Sequence, residues 1–239
     1  TQGGVSNQWY CHLFAPEQPD FNWDNEEVAE EILTTLKFWA DRGVDGFRID
    51  VAHMMKKDLS EPLKDVPEPQ TLDASRPGNE ILFDRDEVHE VFKSWRKLFN
   101  QYKPPRVAVA EAWAKTENIH KYASSEELGQ AFNFDLLLAD FDAHIYKEIV
   151  TRNLATATQH GSSSTWVFSN HDQVRPATRY AVPRGTDLVK LKNSNGTSAG
   201  IDQQRGIKAS IAAQMFALAL PGCTYIYQGE ELGLPEGLE

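Results

Sequence analysis

Gly43-Val44-Asp45-Gly46-Phe47-Arg48-Ile49-Asp50 is the stretch from which this chain is best read. Gly43 stops an amphipathic helix in which Val28, Ile32, Leu33, Leu36 and Trp39 share a face, opened by a capping box at Asp24 and Glu27. Residues 44–50 then read as a short strand that ends in a carboxylate, with an arginine two residues earlier on the same face. The alternation continues outward. A loop rich in Pro, Asp and Lys over residues 52–84 leads to a second helical stripe of Val88, Val91, Phe92, Trp95, Leu98 and Phe99. Pro104-Pro105 ends it, and residues 107–111 form a compact apolar strand. Further strands are expected at 131–134, 165–169 and 223–227, with helices at 140–150 and 207–220 and a long polar loop over 172–203.

Alternation of this kind implies an α/β fold with a parallel sheet and right-handed crossovers. Two details favour a barrel over an open doubly wound sheet. No Gly-rich phosphate loop follows any strand, since the Gly43–Gly46 pair precedes its strand. The long loops also follow strands, and strand-to-helix loops build the active face of a (β/α)₈ barrel. Five strands do not close such a barrel, so about three are missing. Residues 1–239 are therefore expected to be part of a single barrel domain, a partial (β/α)₈ TIM barrel; Thr1 is not an initiator Met, and both ends look cut.

Composition narrows the function. The 239 residues carry 24 Lys+Arg and 35 Asp+Glu, a net charge of −11, with 41% hydrophobic and 25% charged residues, as in ordinary globular domains. The acidic balance argues against nucleic acid and against an anionic membrane surface as partners. The longest apolar run, 211–220, is interrupted by Gln214 and is too short to span a bilayer. Cys11 and Cys223 give neither a disulfide framework nor a metal spacing, and His53, His89, His120 and His171 show no HxH or HExxH pattern, so no metal is expected.

Three strand ends carry polar groups suited to chemistry: Arg48 with Asp50, Glu111 after Val107-Ala108-Val109-Ala110, and Asn170-His171-Asp172 after Phe168-Ser169. A lone carboxylate at a strand end is more often a helix cap or a solvated loop residue, Arg48 alone more often an ion-pair partner, and His171 alone more often a hydrogen-bonded loop residue. Three carboxylates on three strands can instead converge at the mouth of a barrel. Hydrolysis of a glycosidic bond uses such a set: one carboxylate stays ionised, and another holds a proton for the leaving oxygen. Arg48 makes Asp50 the natural nucleophile, and the apolar neighbours of Glu111 suit the general acid. Trp9, Tyr10, Trp23 and Trp113 could stack on sugar faces or simply be buried.

With these segments in hand, the chain resembles the α-amylase superfamily, glycoside hydrolase family 13, and within it the α-glucosidase and oligo-1,6-glucosidase group. Gln18-Pro19-Asp20-Phe21-Asn22 is similar to that group's QPDLN motif, with Phe for Leu. Gly46-Phe47-Arg48-Ile49-Asp50 resembles the nucleophile strand, Ala110-Glu111-Ala112-Trp113 the acid/base strand, and Asn170-His171-Asp172-Gln173 the segment of the third acid. Tyr227-Gln228-Gly229-Glu230-Glu231 resembles the turn after the last strand. The resemblance implies that Asp50 is the nucleophile, Glu111 the acid/base, and Asp172 the holder of the sugar's 2- and 3-hydroxyls. It also implies substrate contacts from Arg48, His171 and Arg175, and retention of the α configuration.

The same resemblance places this chain at about strands 4 to 8. The first three strands and most of an inserted subdomain would lie upstream, and a C-terminal β-domain downstream. It implies no cofactor, and a calcium site, if any, would lie mostly upstream of Thr1. The implied partner is a small oligosaccharide and the implied location cytoplasmic. For linkage, Val51 leans to the 1,6 group, while Ala52-His53 resembles maltose-type enzymes. Rival expectations are a transglycosylase or isomerase of trehalose synthase or sucrose isomerase type, and a non-catalytic relative like the heavy chains of amino-acid transporters.

Overall fold

The structure is a computed structural model that describes residues 9–64, 79–115, 117–192 and 200–237; the chain ends and parts of the two expected long loops, 65–78 and 193–199, lie outside the described residues. The order is α1 (Glu26–Ala40), β1 (Gly46–Ile49), α2 (Val88–Phe99), β2 (Val107–Ala110), α3 (Ile119–Tyr122), β3 (Gly129–Ala131), α4 (Asp135–Leu138), α5 (Ala143–His160), β4 (Thr165–Val167), α6 (Pro176–Arg179), α7 (Leu188–Lys192), α8 (Gln203–Leu218) and β5 (Cys223–Tyr225).

All strand pairs are parallel. β1 pairs with β2 from Gly46↔Val107 to Ile49↔Ala110, and β2 pairs with β3 from Ala108↔Gly129 to Ala110↔Ala131. β4 pairs with β5 from Thr165↔Cys223 to Val167↔Tyr225. The seam between β3 and β4 is closed by a side chain: the Thr165 hydroxyl donates to the Ala131 carbonyl and accepts from the Asn133 N–H at 2.9 Å. Beyond that seam, Gln130 of β3 donates to the Cys223 sulfur at 3.2 Å and accepts from the Tyr225 hydroxyl, both on β5. Inward side chains of alternate strands thus meet across the strand between them, as they do in layered barrel interiors. The chain forms an open arc of a barrel.

α2 packs on the first sheet as its stripe predicts. Val88, Phe92, Trp95 and Phe99 are buried with Ile49, Ala108, Ala110 and Leu128, and burying each large side chain contributes about 1.5–3 kcal/mol. Arg96 on the same helix is also buried. Its guanidinium donates to three main-chain carbonyls, Glu127 at 2.6 Å, Arg106 at 2.9 Å and Leu128 at 2.9 Å, fastening α2 to the turn that enters β3. Beside it His89 and Glu127 form a buried pair at 2.8 Å.

Four expectations need correction. The N-cap of α1 is Asn25, whose side chain accepts from the Glu27 N–H, because Asp24 is engaged by Lys56 at 2.6 Å. β3 begins at Gly129; the ladder's last bond runs from the Phe132 N–H to the Ala110 carbonyl, and the chain then turns at Asn133 into α4. α5 continues to His160 and stops at Gly161 in the left-handed region, well past residue 150. The expected polar loop over 172–203 holds α6 and α7, and Val174, Ala177, Tyr180, Ala181 and Val182 are buried there with Arg179. Arg179 tolerates burial because its guanidinium donates to the Leu137 and Phe168 carbonyls and to the Tyr180 hydroxyl. α6 approaches α8 closely at Gly206, where a Cβ would overlap the Ala177 carbonyl oxygen.

Candidate active site

Each expected carboxylate follows the carboxyl end of a strand. Arg48, the third residue of β1, donates to Asp50 Oδ1 at 2.5 Å, and its other terminal nitrogen lies 3.7 Å from Glu111 Oε2. The two carboxylates stand in different surroundings. The Asp50 side chain is 70% exposed, whereas Glu111 as a residue is only 6% exposed. Glu111 sits between buried Ala110 and Ala112, and its main chain prolongs the ladder: its N–H donates to the Ile49 carbonyl at 2.9 Å and its carbonyl accepts from the Ala52 N–H at 2.8 Å.

The Glu111 carboxylate is held at both oxygens. Oε1 accepts from the Trp113 indole N–H and Oε2 from the Val51 N–H, each at 2.8 Å. Val51 adopts φ 39°, ψ 44°, a left-handed conformation that is costly for a β-branched residue. Neither donor was anticipated. The Trp113 contact had a signal, since residues two apart on an extended segment project to the same side. The Val51 contact joins residues 60 apart in the chain and has no local signature.

The third acid is built differently. Asn170 accepts from the N–H groups of Asp172 at 3.0 Å and Gln173 at 2.9 Å, a local turn that sets the loop after β4. His171 Nε2 lies 3.4 Å from Asp172 Oδ2, and both side chains are 61% exposed. Among the described residues no hydrogen bond or ion pair joins Asp172 or His171 to Asp50 or Glu111. Arg175 reaches neither acid. It donates to the Gln228 carbonyl at 2.7 Å and lies over the Tyr227 ring at 4.7 Å, so it pins the turn after β5. In that turn Glu230 is buried and accepts from the Tyr227 N–H at 2.8 Å; burial pushes its carboxyl above the ordinary range.

Asp20 accepts from the Leu13 N–H at 2.7 Å and pairs with Lys57 at 3.1 Å, tying the segment before α1 to the loop after β1. Of the aromatics, Trp9 is almost fully exposed, Trp23 lies against Trp95 with ring centroids 6.2 Å apart, and Trp113 stacks on Phe134 at 4.2 Å.

Comparison with known proteins shows the family. Residues 3–237 match the α-amylase catalytic domain family, and the chain belongs to that family. It is 30% identical over 245 residues to an α-glucosidase of Candida albicans, covering 96% of this chain and 39% of that protein. It is 28% identical over 243 residues to the trehalose-6-phosphate hydrolase of Escherichia coli K12, again covering 96% of this chain and 39% of the other. Among solved structures, the α-glucosyl transfer enzyme XgtA superposes with a TM-score of 0.68 at 28% identity, over 98% of this chain and 43% of that one. The chain therefore spans about two fifths of the length of the relatives it matches. Among the described residues no helix is long and apolar enough to cross a membrane.

Proposed function

We propose that this chain carries the catalytic centre of a retaining α-glucosidase, which hydrolyses terminal α-glucosidic bonds of short oligosaccharides through a covalent glycosyl-enzyme. The observation that carries the reading is Arg48 holding Asp50 at 2.5 Å beside an enclosed Glu111 in a chain of the α-amylase family. Asp50 attacks the anomeric carbon while Glu111 protonates the departing oxygen. Glu111 then takes a proton from the incoming water, which releases glucose from Asp50 with its α configuration retained. Arg48 bonds Asp50 and lies 3.7 Å from Glu111, so both carboxylates face one cation, which supports the reading of them as a working pair. Asp172 and His171 hold the same sugar, and Arg175 shapes the pocket by fixing the Tyr227–Gln228 turn.

In this reading the five strands are the fourth to eighth of one catalytic barrel, residues 1–239 are part of that domain, and no cofactor enters the reaction. The substrate is a small oligosaccharide, and the enzyme works in the cytoplasm. The chain alone is inactive or nearly so, because the remaining strands supply the rest of the pocket. A second reading, α-glucosyl transfer, is favoured by the likeness to XgtA; it uses the same two carboxylates but excludes water from the intermediate.

The test uses the full-length enzyme with Asp50→Asn and Glu111→Gln, assayed by release of 4-nitrophenol from its α-glucoside, then on maltose, isomaltose and trehalose 6-phosphate. Loss in both variants supports the roles, and the substrate ratios fix the specificity. Disaccharide products in place of free glucose would favour transfer. Undiminished activity in either variant would discard that carboxylate's role.

A further inference from the structure

We infer that Trp113 and the main chain of Val51 form a two-point clamp that orients the Glu111 carboxylate for proton transfer, with Trp113 as a positioning residue; this rests on the reading of Glu111 as the acid/base. The two donors meet opposite oxygens, Trp113 Nε1–H on Oε1 and the Val51 N–H on Oε2, each at 2.8 Å. Arg48 stands at 3.7 Å, beyond hydrogen-bond reach, so among the described residues these two are the hydrogen-bond donors to Glu111. Each carboxylate oxygen has two acceptor sites. The clamp takes one site on each, fixes the plane of the group, and leaves a site free for the leaving oxygen.

Both jaws are themselves fixed. The Trp113 ring stacks on Phe134 with centroids 4.2 Å apart and planes 25° apart, and Phe132 lies beyond Phe134. Val51 is held in its left-handed conformation by the two bonds that flank it, Ala52 N–H to the Glu111 carbonyl at 2.8 Å and Met54 N–H to the Val51 carbonyl at 2.9 Å. Backbone strain of this kind at a residue next to the nucleophile is a mark of a constrained site. The clamp gives up no proton. The Glu111 proton passes to the glycosidic oxygen as the C1–O bond breaks and the Asp50–C1 bond forms, and the clamp sets only the direction from which it comes.

A clamp on the acid matters for leaving groups that need a proton and hardly at all for those that do not. The experiment compares kcat/KM on maltose and on α-glucosyl fluoride for the full-length enzyme and for Trp113→Phe, which keeps a ring against Phe134 and loses the N–H. The expected result is a roughly tenfold or greater fall on maltose with less than a twofold change on the fluoride. Should Trp113→Phe fold poorly, β-(3-benzothienyl)alanine at position 113, with sulfur in place of the N–H, should give the same split. An equal fall on both substrates, or none on either, overturns the clamp alone. A wild-type enzyme that turns over neither substrate overturns the glucosidase reading and the positioning role with it.

Discussion

The end of β2 and the end of β4 present the same kind of group in opposite ways. At the first, Glu111 is enclosed, anchored at both oxygens and continuous with a three-strand ladder. At the second, the Asp172 side chain is 61% exposed beside His171 and a local turn, and the Asp172 carbonyl accepts from the Lys192 ammonium at 3.4 Å. In the proposed reading, the described residues hold the acid/base in place, while the carboxylate proposed to hold the sugar stays open. Binding groups can await a partner surface, but an acid must be aimed before the substrate arrives.

The contrast predicts a hierarchy of losses in the full-length enzyme. Asp50→Asn and Glu111→Gln should each lower kcat by roughly 10⁴-fold or more. Asp172→Asn should lose less, about 10²–10³-fold, as a group that stabilises rather than reacts. Steady-state kinetics on one α-glucoside would order them, and an Asp172 variant that loses more than Glu111→Gln would break the contrast. The second region depends on its scaffold: Gly206→Ala drives a Cβ into the Ala177 carbonyl and should destabilise by about 1–3 kcal/mol in thermal or denaturant unfolding. In the first region two effects oppose. Val51→Gly relieves a left-handed β-branched residue, about 1–2 kcal/mol, but loosens the unfolded chain and removes a side chain packed on Met54, Leu82 and Phe83, so Tm should move by less than Gly206→Ala moves it.

The smallest effect lies where the two regions meet at the far end of the strands. His120 of α3 stacks on His160 of α5 with ring centroids 3.6 Å apart. Burial first, and then the neighbouring His160, lower the His120 pKa from 6.5; Lys121 and His89 add to this, while a bond to the Glu117 main chain opposes it. The unfolded chain therefore binds the proton more readily. The stability this contributes is complete above pH 6.5 and is lost as pH falls below it, toward the lowered folded value. His120→Gln should flatten the decline of Tm with acidification, and an unchanged slope would show that the stack carries no linkage.

Much of the first region was legible in the sequence. The apolar stripe gave α2 its bounds, and the carboxylates fell at strand ends because strand and loop composition switch there sharply. The second region was harder to read. The expected polar loop over 172–203 overlooked the apolar residues of 174–182, and Arg179 and Thr178 among them are buried because carbonyls distant in sequence accept from the guanidinium and the Glu236 N–H donates to the threonine hydroxyl. β3 was misplaced because Gly129 and Gln130 are poor strand formers that take their conformation from pairing with β2. The choice of Asn25 over Asp24 as cap was decided by a lysine more than thirty positions away. Periodicity records what a residue offers its own element, and these cases turn on what another element offers it.

Arg96 carries a consequence for how this chain can vary. Three carbonyls from two separate loops converge on one planar guanidinium. A lysine ammonium keeps the charge but cannot fan its donors across that plane, and a methionine fills the space while stranding all three acceptors. In a library randomised at this codon, the surviving alphabet should shrink to a single letter, although position 96 touches no substrate and lies on a helix whose neighbouring surface positions would accept many.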